Sequence, residues 1–152
     1  MRRFEILPHT AHTGFRAFGE TIEDLFRHAA EALIEIALDP SAARADAPRQ
    51  VEASGADIEE LLVNWLNEVL YLLDGQRFVP AIFKTLRFEN ATQARRVTDG
   101  LCAGLAVSAR LLGEPRDDAR HPPRIVVKAA TFHQLKIGEH NGRWEAEVYL
   151  DI

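Results

Sequence analysis

The closing stretch of this chain leaves little freedom in how it folds. From Arg143 to Asp151 the residues alternate strictly, with Trp144, Ala146, Val148 and Leu150 on one side and Glu145, Glu147, Tyr149 and Asp151 on the other. That period of two predicts a strand with one face on a core and one face in water. Asn141-Gly142 precedes it, a dipeptide suited to a tight turn. The sequence stops on Asp151-Ile152, so a side-chain carboxylate and an α-carboxylate stand one residue apart. The pair is either a cation seat or simply a strand end with two solvated carboxylates.

Two helices are predicted ahead of it. Thr21 is suited to cap the first, with Asp24 adding favourable charge at its start, and Leu25, Phe26, Ala29, Ala30, Leu33, Ile34 and Ala37 form one apolar stripe that ends at Asp39-Pro40. The second opens on Asp57 with Glu60 three residues on, a capping-box spacing. Its stripe of Leu61, Leu62, Trp65, Leu66, Val69, Leu70 and Leu73 stops at Asp74-Gly75. In a chain of this size such a stripe is core packing before it is a docking face.

The remainder reads as strands: Phe4–Ile6, Phe15–Phe18, Gln50–Ala53, Ile82–Phe88, Gln93–Thr98, Leu101–Leu112, Ile125–Ala129 and Leu135–Ile137, with a hairpin signal at Asp99-Gly100 and a polar, proline-rich loop over Gly113–Pro123. Helices early and hairpins late argue for one α+β domain over residues 1–152. It is a two-layer arrangement with the two main helices packed on a largely antiparallel or mixed sheet.

Composition excludes several classes. With 23 acidic residues against 18 basic ones the formal charge is −5, so no general attraction for a phosphate backbone exists and direct nucleic-acid binding is not expected. Cys102 stands alone, which rules out an internal disulfide and favours a buried small hydrophobe in a cytoplasmic protein. The start lacks the apolar core of a signal peptide, and no apolar run approaches the ~18 residues of a membrane helix. There is no Walker-type loop, dinucleotide-binding glycine fingerprint, nucleophile elbow, Cys-x-x-Cys or His-Glu-x-x-His.

What chemistry remains rests on His9, His12, His28, His121, His133 and His140, on Asp151, and on Lys128. His28 lies beside the first helical stripe and reads as a partly exposed surface residue. His9 and His12 are three apart around a turn, a spacing that lets two imidazoles approach one cation if the loop folds back; histidines in loops are more often plain surface residues. Lys128, between Val127 and Ala129, either carries its charge out to water or faces an anion or a transferred proton.

Four segments taken together resemble one family. L-P-H-T-A-H-T-G-F-R-A-F-G at Leu7–Gly19, L-L-V-N-W-L-N-E-V-L-Y-L at Leu61–Leu72, G-E-P-R-D-D-A-R-H at Gly113–His121, and V-K-A-A-T-F-H-Q-L-K-I with the closing V-Y-L-D-I are similar to the archease family, in order and over nearly the whole chain. The resemblance implies a small α+β accessory factor of an RtcB-type tRNA-splicing RNA ligase. Such a factor promotes guanylylation of the ligase and its multiple turnover in tRNA splicing or RNA repair without joining RNA itself. It also implies a divalent-cation site, Ca²⁺ in the family, on position 12, Asp151 and Ile152, and places Lys128 on the family lysine, where its charge would help nucleotide transfer. The family's H-T-A-D is H-T-A-H here, so His12 replaces an acidic oxygen ligand. With His12, Asp151, Ile152 and help from His9 or His133, the site should turn from Ca²⁺ or Mg²⁺ toward Zn²⁺, Mn²⁺ or Ni²⁺. The competing reading is a small metal-dependent hydrolase built on His9, His12 and Asp151.

Overall fold

The structure is a computed structural model and describes residues 2–8, 13–90 and 104–152. Its elements run β1 (Phe4–Leu7), β2 (Thr13–Gly19), α1 (Ile22–Ala37), β3 (Ala47–Gly55), α2 (Ile58–Asp74), β4 (Phe78–Asn90), β5 (Leu105–Pro115), β6 (Ala129–Ala130), β7 (Lys136–His140) and β8 (Arg143–Asp151). The α+β class, the two helices and the antiparallel pairing stand as the sequence predicts. The strands, however, divide between two sheets. One has five strands in the order β1-β2-β8-β6, with β7 also on β8; the other has three, in the order β3-β5-β4, and every pair in both is antiparallel.

Both helices start where their caps say. Thr21 accepts the Asp24 N–H at 3.1 Å, and Asp57 accepts the Glu60 N–H at 2.8 Å while Glu60 reaches back to the Ala56 N–H at 2.9 Å. These bonds satisfy donors that the first helical turn leaves open, and the acidic residues there complement the helix dipole. Each helix packs on strands of both sheets, so one continuous core forms. Trp65 is its centre: fully buried, donating Nε1–H to the Phe26 carbonyl at 3.0 Å, with Phe26 and Phe83 rings beside it at 6.4 and 6.1 Å. Phe88 meets Phe26 edge-on at 4.7 Å, which ties β4 to α1.

β8 covers Arg143–Asp151 and buries Ala146, Val148 and Leu150 as its alternation requires. The turn before it uses positive φ at Asn141 (55°) and Gly142 (77°), the left-handed geometry that Asn-Gly supplies cheaply. Several boundaries differ from expectation: β2 runs Thr13–Gly19 rather than Phe15–Phe18, β4 runs Phe78–Asn90 rather than Ile82–Phe88, and β7 runs Lys136–His140 rather than Leu135–Ile137. Gly113-Glu114-Pro115 belongs to β5 rather than to the loop, because Glu114 and Gly113 are paired against Val79 and Pro80 of β4. Residues Ile125–Lys128 are not strand; only Ala129–Ala130 pair with β8. β3 is longer than Gln50–Ala53, since all nine of its residues pair with β5. The expected strand Gln93–Thr98, the Asp99-Gly100 turn, Cys102 and the first residues of Leu101–Leu112 lie outside the described residues. No helix among the described residues is long and apolar enough to cross a membrane.

Candidate functional site

The carboxyl end of β8 sits between two partners. On one side Thr13 and Gly14 of β2 face Leu150 and Tyr149; on the other Ala130 and Ala129 of β6 face Leu150 and Asp151. The backbone of Lys128 donates to the Asp151 carbonyl at 2.7 Å, which brings Lys128 beside the last described residues. Thr131 adds two bonds to the Tyr149 carbonyl, from its N–H at 3.2 Å and its hydroxyl at 3.0 Å, and that hydroxyl accepts the His133 N–H at 3.2 Å. The 128–133 segment is thus wrapped along β8 by its own backbone.

A helix residue finishes the clamp. Asn67 of α2 accepts the Ala130 N–H at 2.8 Å and donates to the Ala130 carbonyl at 3.4 Å, fixing a two-residue strand that has few ladder bonds of its own. Sequence reasoning missed Asn67. Its signal was a carboxamide beside an otherwise apolar stripe, which by itself reads as a solvated flank.

The predicted site residues divide as follows. Asp151 and Lys128 are both exposed, at one end of the five-stranded sheet, and neither forms an ion pair among the described residues. Ile152 is 49% exposed. His133 is exposed near the same end, its ring edge-on to Tyr149 at 6.4 Å. His9 and His12 lie outside the described residues, but Thr13, the first described residue after them, pairs with Leu150, one residue from Asp151. Lys128 precedes β6, not within a strand as expected.

Chemically, this end suits a hard cation in part. Asp151 offers carboxylate oxygens, and Thr13 Oγ1 is buried with no hydrogen-bond partner among the described residues, an oxygen beside the register of the terminal residues. Among the described residues no group of three or more His, Cys, Asp or Glu could hold a metal, so the oxygens present fit such an ion only if residues of the 9–12 segment complete the set.

His121, which closes the Gly113–His121 segment, has a different role. His121 is fully buried; its Nδ1 accepts the Asp117 N–H at 3.0 Å and its Nε2 bonds Glu114 at 2.8 Å, which sets the tautomer with the proton on Nε2. Glu114 Oε2 also accepts from Arg120 at 2.7 Å and from the Arg44 N–H at 3.1 Å. The Arg120 guanidinium, with His121 and Arg44, holds the Glu114 carboxyl down to about 2 against the upward push of desolvation. These bonds pin the 116–123 loop and the 41–46 connection to β5, which makes G-E-P-R-D-D-A-R-H a structural clip remote in sequence from the terminal strand.

The fold is a small α+β scaffold whose 116–123 loop is clipped to β5 and whose terminal strand ends on a charged tip. The Archease protein family (MTH1598/TM1083) matches residues 4–152. The protein archease of Methanopyrus kandleri is 35% identical over 151 residues, covering 98% of this chain and 99% of that one, and the protein archease of Pyrococcus abyssi is 33% identical over the whole of both. The solution structure of protein 1598 from Methanobacterium thermoautotrophicum superposes with a TM-score of 0.78 at 32% identity, covering both chains fully. The crystal structure of an archease, possible chaperone, from Thermotoga maritima shares the fold at a TM-score of 0.55 and 19% identity, covering 100% of this chain and 98% of that one. The chain belongs to the archease family.

Proposed function

We propose that this protein is a non-catalytic accessory factor of an RtcB-type tRNA-splicing RNA ligase, one that promotes ligase guanylylation and multiple turnover in tRNA splicing or RNA repair. The observation that carries this reading is the 2.7 Å bond from the Lys128 backbone to Asp151, which supports a single tip where the Lys128 cation and the Asp151 carboxylate each lack an ion-pair partner among the described residues. A basic cleft that normally accepts nucleotide and metal is complementary to such a tip on a protein of net charge −5. The Lys128 ammonium would face the phosphates being transferred, and the factor would act by contact with the ligase rather than with RNA.

His12, Asp151 and the Ile152 carboxylate, with His9 and His133 nearby in the proposal, would hold a divalent ion: Ca²⁺ by family likeness, or Zn²⁺, Mn²⁺ or Ni²⁺ because of the imidazole. Such an ion, when bound, would offset the crowded carboxylates and fix the tip's shape. The test is ligation by the ligase from the same source, with and without this protein. Wild type should raise guanylate loading and turnover, Lys128→Ala should lose most of the gain with the fold intact, and the protein alone should hydrolyse nothing. Turnover of a phosphoester by the protein alone would favour the hydrolase instead.

A further inference from the structure

One chain of contacts crosses the polar face of the five-stranded sheet and ends at the tip. Tyr149 lies on that face with Glu147 and Asp151, two residues to either side of it along β8. Its hydroxyl donates to Glu147 Oε2 at 2.8 Å; Glu147 Oε1 accepts from Arg16 of β2 at 2.7 Å, and Arg16 also donates to Glu5 of β1 at 2.7 Å. The phenol is therefore held by a carboxylate that is itself held, so its ring has one preferred place. That place is over Gly14: a Cβ there would stand 2.7 Å from Tyr149 Cδ1 and 3.1 Å from Cε1. Only a glycine leaves room for the ring. Among the described residues the ring also meets His133, edge-on at 6.4 Å, while the Tyr149 carbonyl receives both donors of Thr131. One residue of the strand that carries Asp151 thus touches both β2, at Gly14, and the loop that follows Lys128.

We infer that Tyr149 is a positioning residue for the terminal tip: pinned through Glu147 and Arg16, its ring sets Gly14 and His133 relative to Asp151. This deepens the accessory-factor reading and rests on it for its functional consequence, though not for its geometry. Tyr149 acts through its neighbours and need not touch the ligase. A positioning role affects how well a docked tip works more than how tightly it docks.

The experiment compares wild type with Tyr149→Phe and Tyr149→Leu, both checked for folding by thermal melts, and reads two quantities. The first is the NMR signal of the His133 ring protons, which an adjacent aromatic ring shifts. The second is ligase stimulation as the protein is titrated, resolved into plateau rate and half-saturating concentration. Tyr149→Phe keeps the ring and loses the tether, so the His133 signal should move part of the way and the plateau should fall about three- to tenfold, the span of one hydrogen bond. Tyr149→Leu should abolish the ring-induced shift and most of the stimulation, and half-saturation should change less than about twofold in both. A folded Tyr149→Leu protein with an unmoved His133 signal, or with a full plateau, overturns the inference. Loss through half-saturation alone overturns it as well, because that marks Tyr149 as a contact residue. If wild type fails to stimulate the ligase, the accessory-factor reading falls, and the His133 signal alone decides the positioning claim.

Discussion

Replacing Asn67 with alanine should loosen the tip from a distance. The carboxamide holds both backbone groups of Ala130, through bonds of 2.8 and 3.4 Å, and Ala130 is only 5% exposed, so water reaches the freed N–H poorly. A buried donor left unpaired costs about 1–3 kcal/mol, and the longer bond, near the geometric limit, adds little. Alanine is the better helix former by about 0.5 kcal/mol, which offsets part of the loss and leaves a net destabilisation of about 1–2 kcal/mol. For a domain of this size that lowers Tm by about 2–8 °C. Amide exchange locates the effect: the N–H of Ala130, and that of Lys128 bonded to the Asp151 carbonyl, should exchange faster, whereas the Trp65 region should change only as global stability does. Asn67→Asp keeps the acceptor oxygen and should retain most of the Ala130 protection. If Asn67→Ala melts within a degree of wild type with Ala130 equally protected, the clamp contributes nothing and the account of how α2 fixes the tip is wrong.

Glu114→Gln should change acid unfolding. Because the folded carboxyl is held down to about 2 from an ordinary 4.5, its stabilisation is present above about pH 4.5 and is lost as pH falls toward 2; the variant should lack that part of the slope in an acid titration followed by circular dichroism. Trp65→Phe removes volume from a fully buried site along with the bond to the Phe26 carbonyl, and should cost about 2–4 kcal/mol in urea unfolding; a loss under about 1 kcal/mol would mean the core repacks freely. His12→Asp should raise affinity for Ca²⁺ and lower it for Zn²⁺ by calorimetry; equal Ca²⁺ binding by both proteins would remove position 12 from the donor set.

The helices and the last strand were legible because their instructions are local. Thr21, Asp57 and Glu60 cap through bonds spanning three or four residues, and the alternation of Arg143–Asp151 specifies a buried face whatever lies opposite. Asp151, Lys128 and His133 could be picked out by type and by family likeness. Their gathering could not: it needs Asn67 to find Ala130, 63 residues away, and Arg16 to find Glu147, 131 residues away. The same holds for the split into two sheets, for Glu114 and His121 turning from loop polar residues into a buried clip, and for Tyr149 lying on Gly14. Periodicity records which face of an element avoids water, because that preference acts residue by residue. Which polar group meets which across the fold is set by the packing of whole elements, and no short window of sequence contains it.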